Sequence, residues 1–471
     1  MLFENKSNNI AVIEDNGEIF TYNQLYKCGE MIISHIKERC LIIILCENKS
    51  EIIALYTASI RNHIIPLLLQ KEVKETILNN MIEQYNPQYI FGKIKKLNNI
   101  NNIKLVFQIR EYGLFMCSEK KIYDIYRNLA LLLTTSGSTG DYKCVRISYK
   151  NLISNTEEII SYLKIKESCK TITTLPMNYA YGLSIINSYL QAGAQILLTD
   201  LSIIKPSFWE AFKINKCNSI SGVPYTYEIM DRLGFFEKKS EYLDTLTQAG
   251  GALPNKLNKK IVEYSKKNKI VFFSMYGQTE ATARISYLES RYNESKMGSI
   301  GKPLNCGKLY LVNSEDGEII KKDKEIGELV YEGPNVALGY AYSYKDLSNA
   351  DKWNGILYTG DLAYYDSDGF FYICGRKNRY TKLFGLRIFL DDLDKKCCEY
   401  FNGIKVVSVG KKNHLYIFYD KQLCLDELND FIISNTQLKK YMFELKKIDE
   451  IPTNNNGKVN YMELERLAEN E

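Results

Sequence analysis

Short apolar runs of five or six residues alternate with stretches of helical periodicity along most of this chain. That rhythm restricts it to a layered α/β fold. Residues 41–46 (Leu-Ile-Ile-Ile-Leu-Cys) and 64–69 each read as a buried strand, with a helix expected from about Glu51 between them. Strand, helix and strand in succession imply a mostly parallel sheet. The same order recurs over 171–175, 182–191 and 194–199, and again where a helix over 256–267 precedes a strand over 270–274. Ahead of these units, Asn16-Gly17 between two short apolar runs is a strong hairpin signal. Thr21 with Gln24 then forms a capping box for a helix running toward Ile36.

At 471 residues the chain exceeds what one hydrophobic core supports, so more than one structural unit is expected. The character changes around Gly375. Asp368-Gly369 is a turn, 370–374 a strand, and Gly375-Arg376-Lys377-Asn378-Arg379 a polar, flexible run. Beyond it, helices over 390–401 and 425–436 flank a strand over 415–419. The expected division is a domain over 1–375 and a small α+β domain over 376–471, with a hinge at 376–379.

Composition removes several classes of function. An apolar content of 45% with 25% charged residues is ordinary for a soluble globular protein, and a formal charge of +5 gives no nucleic-acid or membrane signal. The first residues are polar after Leu2-Phe3, which is no secretory signal. The longest apolar runs are too short to cross a bilayer. Twelve cysteines without a C-x-x-C pair fit small buried hydrophobes in a reducing cytoplasm. The three histidines, His35, His63 and His414, lie far from the glycine-rich segments. Histidine catalysis and a zinc site are therefore not expected, and no His-x-Gly-His signal is present.

The segment Thr134-Thr-Ser-Gly-Ser-Thr-Gly-Asp-Tyr-Lys143 follows the apolar run 131–133 and precedes the strand-like 144–148. Gly137 and Gly140 permit positive φ and close approach of backbone to a ligand. The hydroxyls of Thr135, Ser136, Ser138 and Thr139, with successive backbone N–H groups, make a cradle for anionic oxygens, and Lys143 adds a positive charge. A Walker loop requires Lys directly after its last glycine, and here Asp141 follows Gly140. A flexible Ser/Gly linker is the competing explanation, and the preceding buried strand argues against it.

Further signals follow in order. Gln248-Ala-Gly250-Gly251-Ala252 is a run of small residues suited to a planar ring. Tyr276-Gly-Gln-Thr279-Glu280 follows a strand, where α/β sheets place ligand sites. Glu280 offers a carboxylate for Mg²⁺, Thr279 a hydroxyl for phosphate and Tyr276 a flat face for a base. Tyr358-Thr-Gly-Asp361 is read as the end of another strand, and Pro452 to Lys458 as a tight turn presenting one lysine.

Together these residues resemble the adenylate-forming superfamily, which comprises acyl- and aryl-CoA synthetases, adenylation domains of nonribosomal peptide synthetases and firefly luciferase. The resemblance implies a large domain of αβ layers with a small β-barrel-like part, followed by a mobile C-terminal domain. It implies that Thr135, Ser136, Gly137, Ser138, Thr139, Gly140 and Lys143 bind the β- and γ-phosphates of ATP. Gly250, Gly251, Ala252 and Tyr276 would enclose adenine, and Asp361 and Arg376 the ribose. Thr279 would meet the α-phosphate, Glu280 hold Mg²⁺, and Lys458 bridge the carboxylate and α-phosphate in the first transition state. Lys382, Gly385 and Arg387 match the small-domain motif presented during thioester formation. Two departures stand out: Tyr142-Lys143-Cys144 replaces Pro-Lys-Gly, and Asn378 occupies the hinge position.

Leu175 to Ser184 matches the superfamily's acyl-pocket segment. Members that activate α-amino acids carry an Asp there for the ammonium; this position is Gly182, and an unpaired buried ammonium is costly. Tyr179, Tyr181 and Tyr225 either line the pocket or are ordinary core aromatics. The expected activity is ATP-dependent formation of an acyl-adenylate with release of pyrophosphate, followed by transfer to a thiol. That thiol is coenzyme A or carrier-protein phosphopantetheine, with an acyl or peptidyl carrier protein favoured because no basic cluster faces a CoA nucleotide. An amino-acid ligase similar to D-alanine–carrier protein ligase, and an inactive nucleotide-binding partner, are the alternatives.

Overall fold

The computed structural model describes residues 2–118, 121–134, 143–313, 316–377, 379–383, 386–401, 403–411, 414–436, 438–453 and 459–468. Two mixed sheets with helices packed between them form the larger unit. The first sheet runs in the order Lys302–Pro303, Ser286–Leu288, Val271–Tyr276, Thr245–Gln248, Ser219–Gly222, Lys170–Ile172, Gln195–Leu198, Ile10–Glu14 and Ile19–Thr21. From Val271–Tyr276 to Ile10–Glu14 every neighbouring pair is parallel, while the outer pairs are antiparallel. The second sheet has the same plan. Its centre, Leu129–Thr134, Ile65–Gln70, Leu41–Cys46 and Tyr89–Lys93, is parallel, and its edges are antiparallel. The expected parallel sheets are thus found wherever a helix makes the crossover. Edge strands joined by short turns are antiparallel because a hairpin cannot return a parallel strand.

Helices Ser50–Arg61 and Ala180–Gln191 are buried on all sides; every residue of the first and all but Gln191 of the second are inaccessible. A helix covered all round belongs inside a core. A hydrogen bond joins the two helices: the Tyr56 hydroxyl donates to Asn187 Oδ1 at 3.0 Å. Gly29, on the capped helix Tyr22–Ile33, permits a close crossing, since a Cβ there would lie 2.5 Å from the Ala54 carbonyl oxygen.

A four-stranded antiparallel sheet, Lys308–Val312, Gly327–Glu332, Ile356–Tyr365 and Phe371–Arg376, stands beside the first sheet. It corrects two expectations. Tyr358 to Asp361 does not end a strand but sits within Ile356–Tyr365, where the register shifts and Gly360 adopts φ 73°. A glycine bulge lets the strand continue while re-aiming the next side chain, Asp361. Gly375 and Arg376, expected in a flexible run, complete the last strand, and Arg376 pairs in register with Asp361.

The C-terminal part carries a two-stranded and a three-stranded sheet with helices Leu390–Tyr400, Leu425–Thr436 and Tyr461–Leu467. Its described apolar clusters draw only on residues from Leu383 onward, whereas those of the larger unit end at Ile373. Arg379 anchors the connecting segment. Its Nη1 lies 2.9 Å from Asp391, its Nη2 2.8 Å from Asp394, and its guanidinium rests 3.9 Å from the Tyr461 ring centroid.

Candidate active site

Four adjacent parallel strands deliver the site. The loops leaving Lys170–Ile172, Ser219–Gly222, Thr245–Gln248 and Val271–Tyr276 emerge at one end of the first sheet. They carry the acyl segment, Val223 to Tyr225, Gly250-Gly251 and Tyr276 to Glu280. This is the carboxyl edge at which parallel sheets bind ligands.

Three side-chain groups form there. In the first, the Tyr276 hydroxyl donates to Asp361 Oδ2, and Arg376 Nε lies 2.7 Å from Asp361 Oδ1. Asp361 is 4% exposed, so these partners replace water around its carboxylate. Burial pushes the Tyr276 phenol well above its ordinary range and Asp361 reinforces this, which keeps it a neutral donor. Asp361 in turn raises the Arg376 guanidinium, against the opposing effect of burial.

The second group joins Glu280, Tyr340 and Lys143. The Tyr340 hydroxyl donates to Glu280 Oε1 at 2.7 Å, and Lys143 Nζ sits 3.8 Å from the centre of the Tyr340 ring. Burial first, then Glu280, raises the Tyr340 phenol well above its usual range. Trp353 packs edge-on against this ring at 5.0 Å. Glu280 and Thr279 lie on a short 3₁₀ turn, and Glu280's carbonyl accepts from Ala337 N–H.

The third group is Gly250 with Tyr179 and Val223. Gly250 has φ 87°, and a Cβ there would stand 2.8 Å from the Tyr179 hydroxyl and 3.1 Å from Val223 Cγ1. Only glycine lets the two loops meet at this distance. Gln248 Nε2 fixes the turn by donating to Gly251 O at 2.6 Å, and Gly251 and Ala252 are exposed. Gly182 lies buried in helix Ala180–Gln191, where a Cβ would come 2.3 Å from the Pro176 carbonyl oxygen. The backbone itself fills the space a side chain would need. Tyr225 stands apart, 47% exposed at the start of helix Pro224–Arg232. With Tyr179 and Thr453 it lines a cleft of about 1430 Å³ between the larger unit and the C-terminal part.

Thr135, Ser136, Gly137, Ser138, Thr139, Gly140 and Lys458 lie outside the described residues, as do Asn378 and Gly385. Their flanks are described. Thr134 and Cys144 pair across the antiparallel strands Leu129–Thr134 and Cys144–Ser148, so residues 135–142 connect two paired ends. Thr453 and Val459 form an isolated bridge at the base of 454–458.

The donor chemistry suits a magnesium nucleotide. Glu280 keeps Oε2 outside its bond to Tyr340, and Mg²⁺ takes one or two carboxylates together with phosphate oxygens. Gln278 Nε2 and Asn178 Oδ1 are buried with no hydrogen-bond partner among the described residues. Buried polar atoms left without a partner are rare, and these two flank the Tyr179–Gly250 contact and the Glu280 turn. Among the described residues no cluster of His, Cys, Asp and Glu forms a separate metal cage.

Two residues at the site were missed in the sequence. Tyr340 lies 60 residues from Glu280, with no local signal to link them. Arg284, four residues after Glu280, is 1% exposed although arginine is almost never fully buried. A charged residue in that otherwise apolar and small-residue run was the available signal.

Comparison with known proteins agrees with this arrangement. The model of the AMP-binding enzyme family matches residues 3–341, and the chain belongs to that family. It is an AMP-forming acid–thiol ligase. The 2-succinylbenzoate–CoA ligase of Bacillus cytotoxicus is 26% identical over 347 residues, covering 72% of this chain and 70% of that protein. The enzyme of the same name from Bacillus mycoides is 28% identical over 352 residues, with the same coverage. Among solved structures, the o-succinylbenzoate CoA synthetase MenE of Bacillus subtilis, in complex with the acyl-adenylate intermediate OSB-AMP, superposes with a TM-score of 0.77 at 21% identity. It covers 96% of this chain and 94% of its own. ATP-bound MatB from Rhodopseudomonas palustris gives 0.79 at 18% identity, covering 98% and 96%. Both share the whole fold with this chain.

Proposed function

We propose that this ligase joins a carboxylic acid other than an α-amino acid to coenzyme A. The observation that carries the reading is the convergence of Lys143, Tyr340 and Glu280 with Tyr276, Asp361 and Arg376 at one sheet edge. It supports a nucleotide whose ribose meets Asp361 and Arg376, whose base lies between Gly250 to Ala252 and Tyr276, and whose phosphates reach Thr279, Lys143 and residues 135–140. Mg²⁺ at Glu280 supplies charge neutralisation for those phosphates.

The acid's carboxylate attacks the α-phosphorus, the bond to the bridging β-oxygen breaks, and pyrophosphate leaves. A thiolate then attacks the acyl carbon of the mixed anhydride and AMP leaves. Lys458 stabilises the charge that moves onto the α-phosphate oxygens in the first step. We take 1–375 and 376–471 as the units that reorient between steps; the separate apolar clusters and the Arg379 anchor support this division. Rotation would be absorbed by a few backbone angles near 376–378.

Coenzyme A replaces the carrier protein favoured in the sequence, because the two Bacillus ligases and the MenE synthetase above are named as acting with CoA. The amino-acid alternative is disfavoured because no side chain fits at Gly182 and because Arg284, a cation, stands behind Tyr181. The cysteine pattern, twelve residues with no C-x-x-C pair, supports a reducing, cytoplasmic setting. Acid-dependent exchange of pyrophosphate into ATP over a panel of fatty, aromatic, dicarboxylic and amino acids tests the proposal. Exchange with non-amino acids and CoA thioester as final product is the expected result; no exchange with any acid overturns it.

A further inference from the structure

Arg284 is a buried cation with no acidic partner among the described residues. Its Nε donates to the Tyr162 hydroxyl at 3.1 Å, its Nη2 to Ser184 Oγ at 3.3 Å, and its guanidinium carbon stands 4.7 Å from the Tyr181 ring centroid. Nη1 makes no hydrogen bond to a described residue. Ser184 and Tyr181 both belong to the acyl segment, and Tyr179, at the mouth of the cleft, lies within electrostatic reach of the same guanidinium.

The backbone is strained to put it there. Thr282 and Ala283, immediately before it, adopt φ 54° and 98°, unusual for residues with a Cβ. The Arg284 carbonyl is held by the side-chain amides of Asn155 at 3.0 Å and Asn335 at 2.7 Å. A structural arginine is normally paired with a carboxylate, or has both its Nη groups on carbonyls, as Arg146 does with Leu338, Asn349 and Ala350. Arg284 has neither. A buried charge of this kind is costly unless something of opposite sign completes it.

We propose that Arg284 is the specificity-determining cation of the acyl pocket, and that the acid activated carries a second anionic group, a carboxylate, remote from the one that attacks ATP. The inference rests on the ligase reading above and deepens it. Arginine presents a planar fork matched to a carboxylate, and Tyr162, Ser184 and Tyr181 hold that fork in a fixed orientation. The second carboxylate would be fixed while the first faces the nucleotide.

The test compares each diacid with its own half-amide in acid-dependent pyrophosphate exchange by the whole wild-type enzyme. Succinate, glutarate, adipate and 2-succinylbenzoate are suitable probes. At least one diacid should exceed its half-amide by on the order of 100-fold in kcat/KM, the scale set by removing one member of a buried, hydrogen-bonded charge pair. Arg284→Gln should erase that preference mainly through KM, and Arg284→Lys should restore part of it. If neutral acids exchange as well as or better than every diacid, the inference is wrong and the ligase reading stands. If no acid of either kind supports exchange, the ligase reading falls and the inference with it. The wild-type comparison decides even where Arg284→Gln fails to fold.

Discussion

Tyr276→Phe removes one oxygen from the bond between the first sheet and the four-stranded sheet and leaves the aromatic face intact. In the structure that oxygen donates to an Asp361 carboxylate only 4% exposed, so water cannot take its place. The other carboxylate oxygen keeps Arg376 at 2.7 Å, but that guanidinium is 56% exposed and pairs in a screened setting. A hydrogen bond to a charged acceptor is worth about 1.5–3 kcal/mol, and we take the lower half of that range because Arg376 remains. ATP binding should therefore weaken by roughly 10- to 40-fold as Asp361 loses its fixed orientation. Asp361→Asn should weaken it at least as much, and the double variant no more than Asp361→Asn alone. ATP titration by calorimetry, alongside the ATP dependence of pyrophosphate exchange, measures all three. Additive losses, or a Tyr276→Phe variant with unchanged ATP affinity, would refute the claim that this hydrogen bond positions the carboxylate.

Further outcomes are expected elsewhere in the chain. Lys458→Ala should abolish acid-dependent pyrophosphate exchange yet retain thioester formation from supplied acyl-adenylate; retention of both half-reactions removes Lys458 from the first transition state. Tyr340→Phe should raise the Mg²⁺ concentration needed for half-maximal exchange by about 10-fold, through loss of a charge-assisted bond to Glu280. Gly182→Asp should lower stability by about 3 kcal/mol without conferring amino-acid activation, since its Cβ meets the Pro176 carbonyl; chemical denaturation and an amino-acid panel check both parts. Glu14 is held below its ordinary value of 4.5: burial opposes this, but Ser50 N–H and Oγ–H and the Lys49 ammonium outweigh it. A carboxyl lowered in the folded state stabilises above its unfolded value and loses that contribution as pH falls through the folded one. Glu14→Gln should therefore flatten the acid limb of the stability curve below about pH 4.5, and parallel curves for variant and wild type would contradict it.

Local chemistry made much of the fold legible. The Asn16-Gly17 hairpin and the Thr21–Gln24 capping box occur as read, because each is decided within four residues. The apolar runs at 41–46 and near 65–70 became strands because buried parallel strands need no alternation. What escaped depends on distance along the chain. The bulge at Gly360 turns a supposed strand end into mid-strand, and only pairing with Gly327–Glu332 reveals it. Motif spacing pointed to Tyr276, Glu280, Asp361 and Arg376, but not to Tyr340, the tyrosine bonded to Glu280. Tyr340 reaches Glu280 from a two-residue edge strand, Tyr340–Ala341, that pairs with Cys144–Ser148. No periodicity announces an element so short. Gly182 was read as a missing counter-ion, and the structure adds a second reason for its identity, the close approach of the Pro176 backbone.

The placement of Tyr340 bears on turnover. Lys143 and Glu280 carry opposite charges at the same site, yet among the described residues neither forms an ion pair. The ring of Tyr340 takes the ammonium on its face while its hydroxyl takes the carboxylate, so one neutral side chain insulates the two from each other. A direct salt bridge would have to be broken each time a nucleotide entered and remade each time AMP left. By keeping both charges weakly engaged with a polarisable ring, the protein leaves them ready to exchange partners at little cost, and the waiting enzyme does not compete with its own substrate.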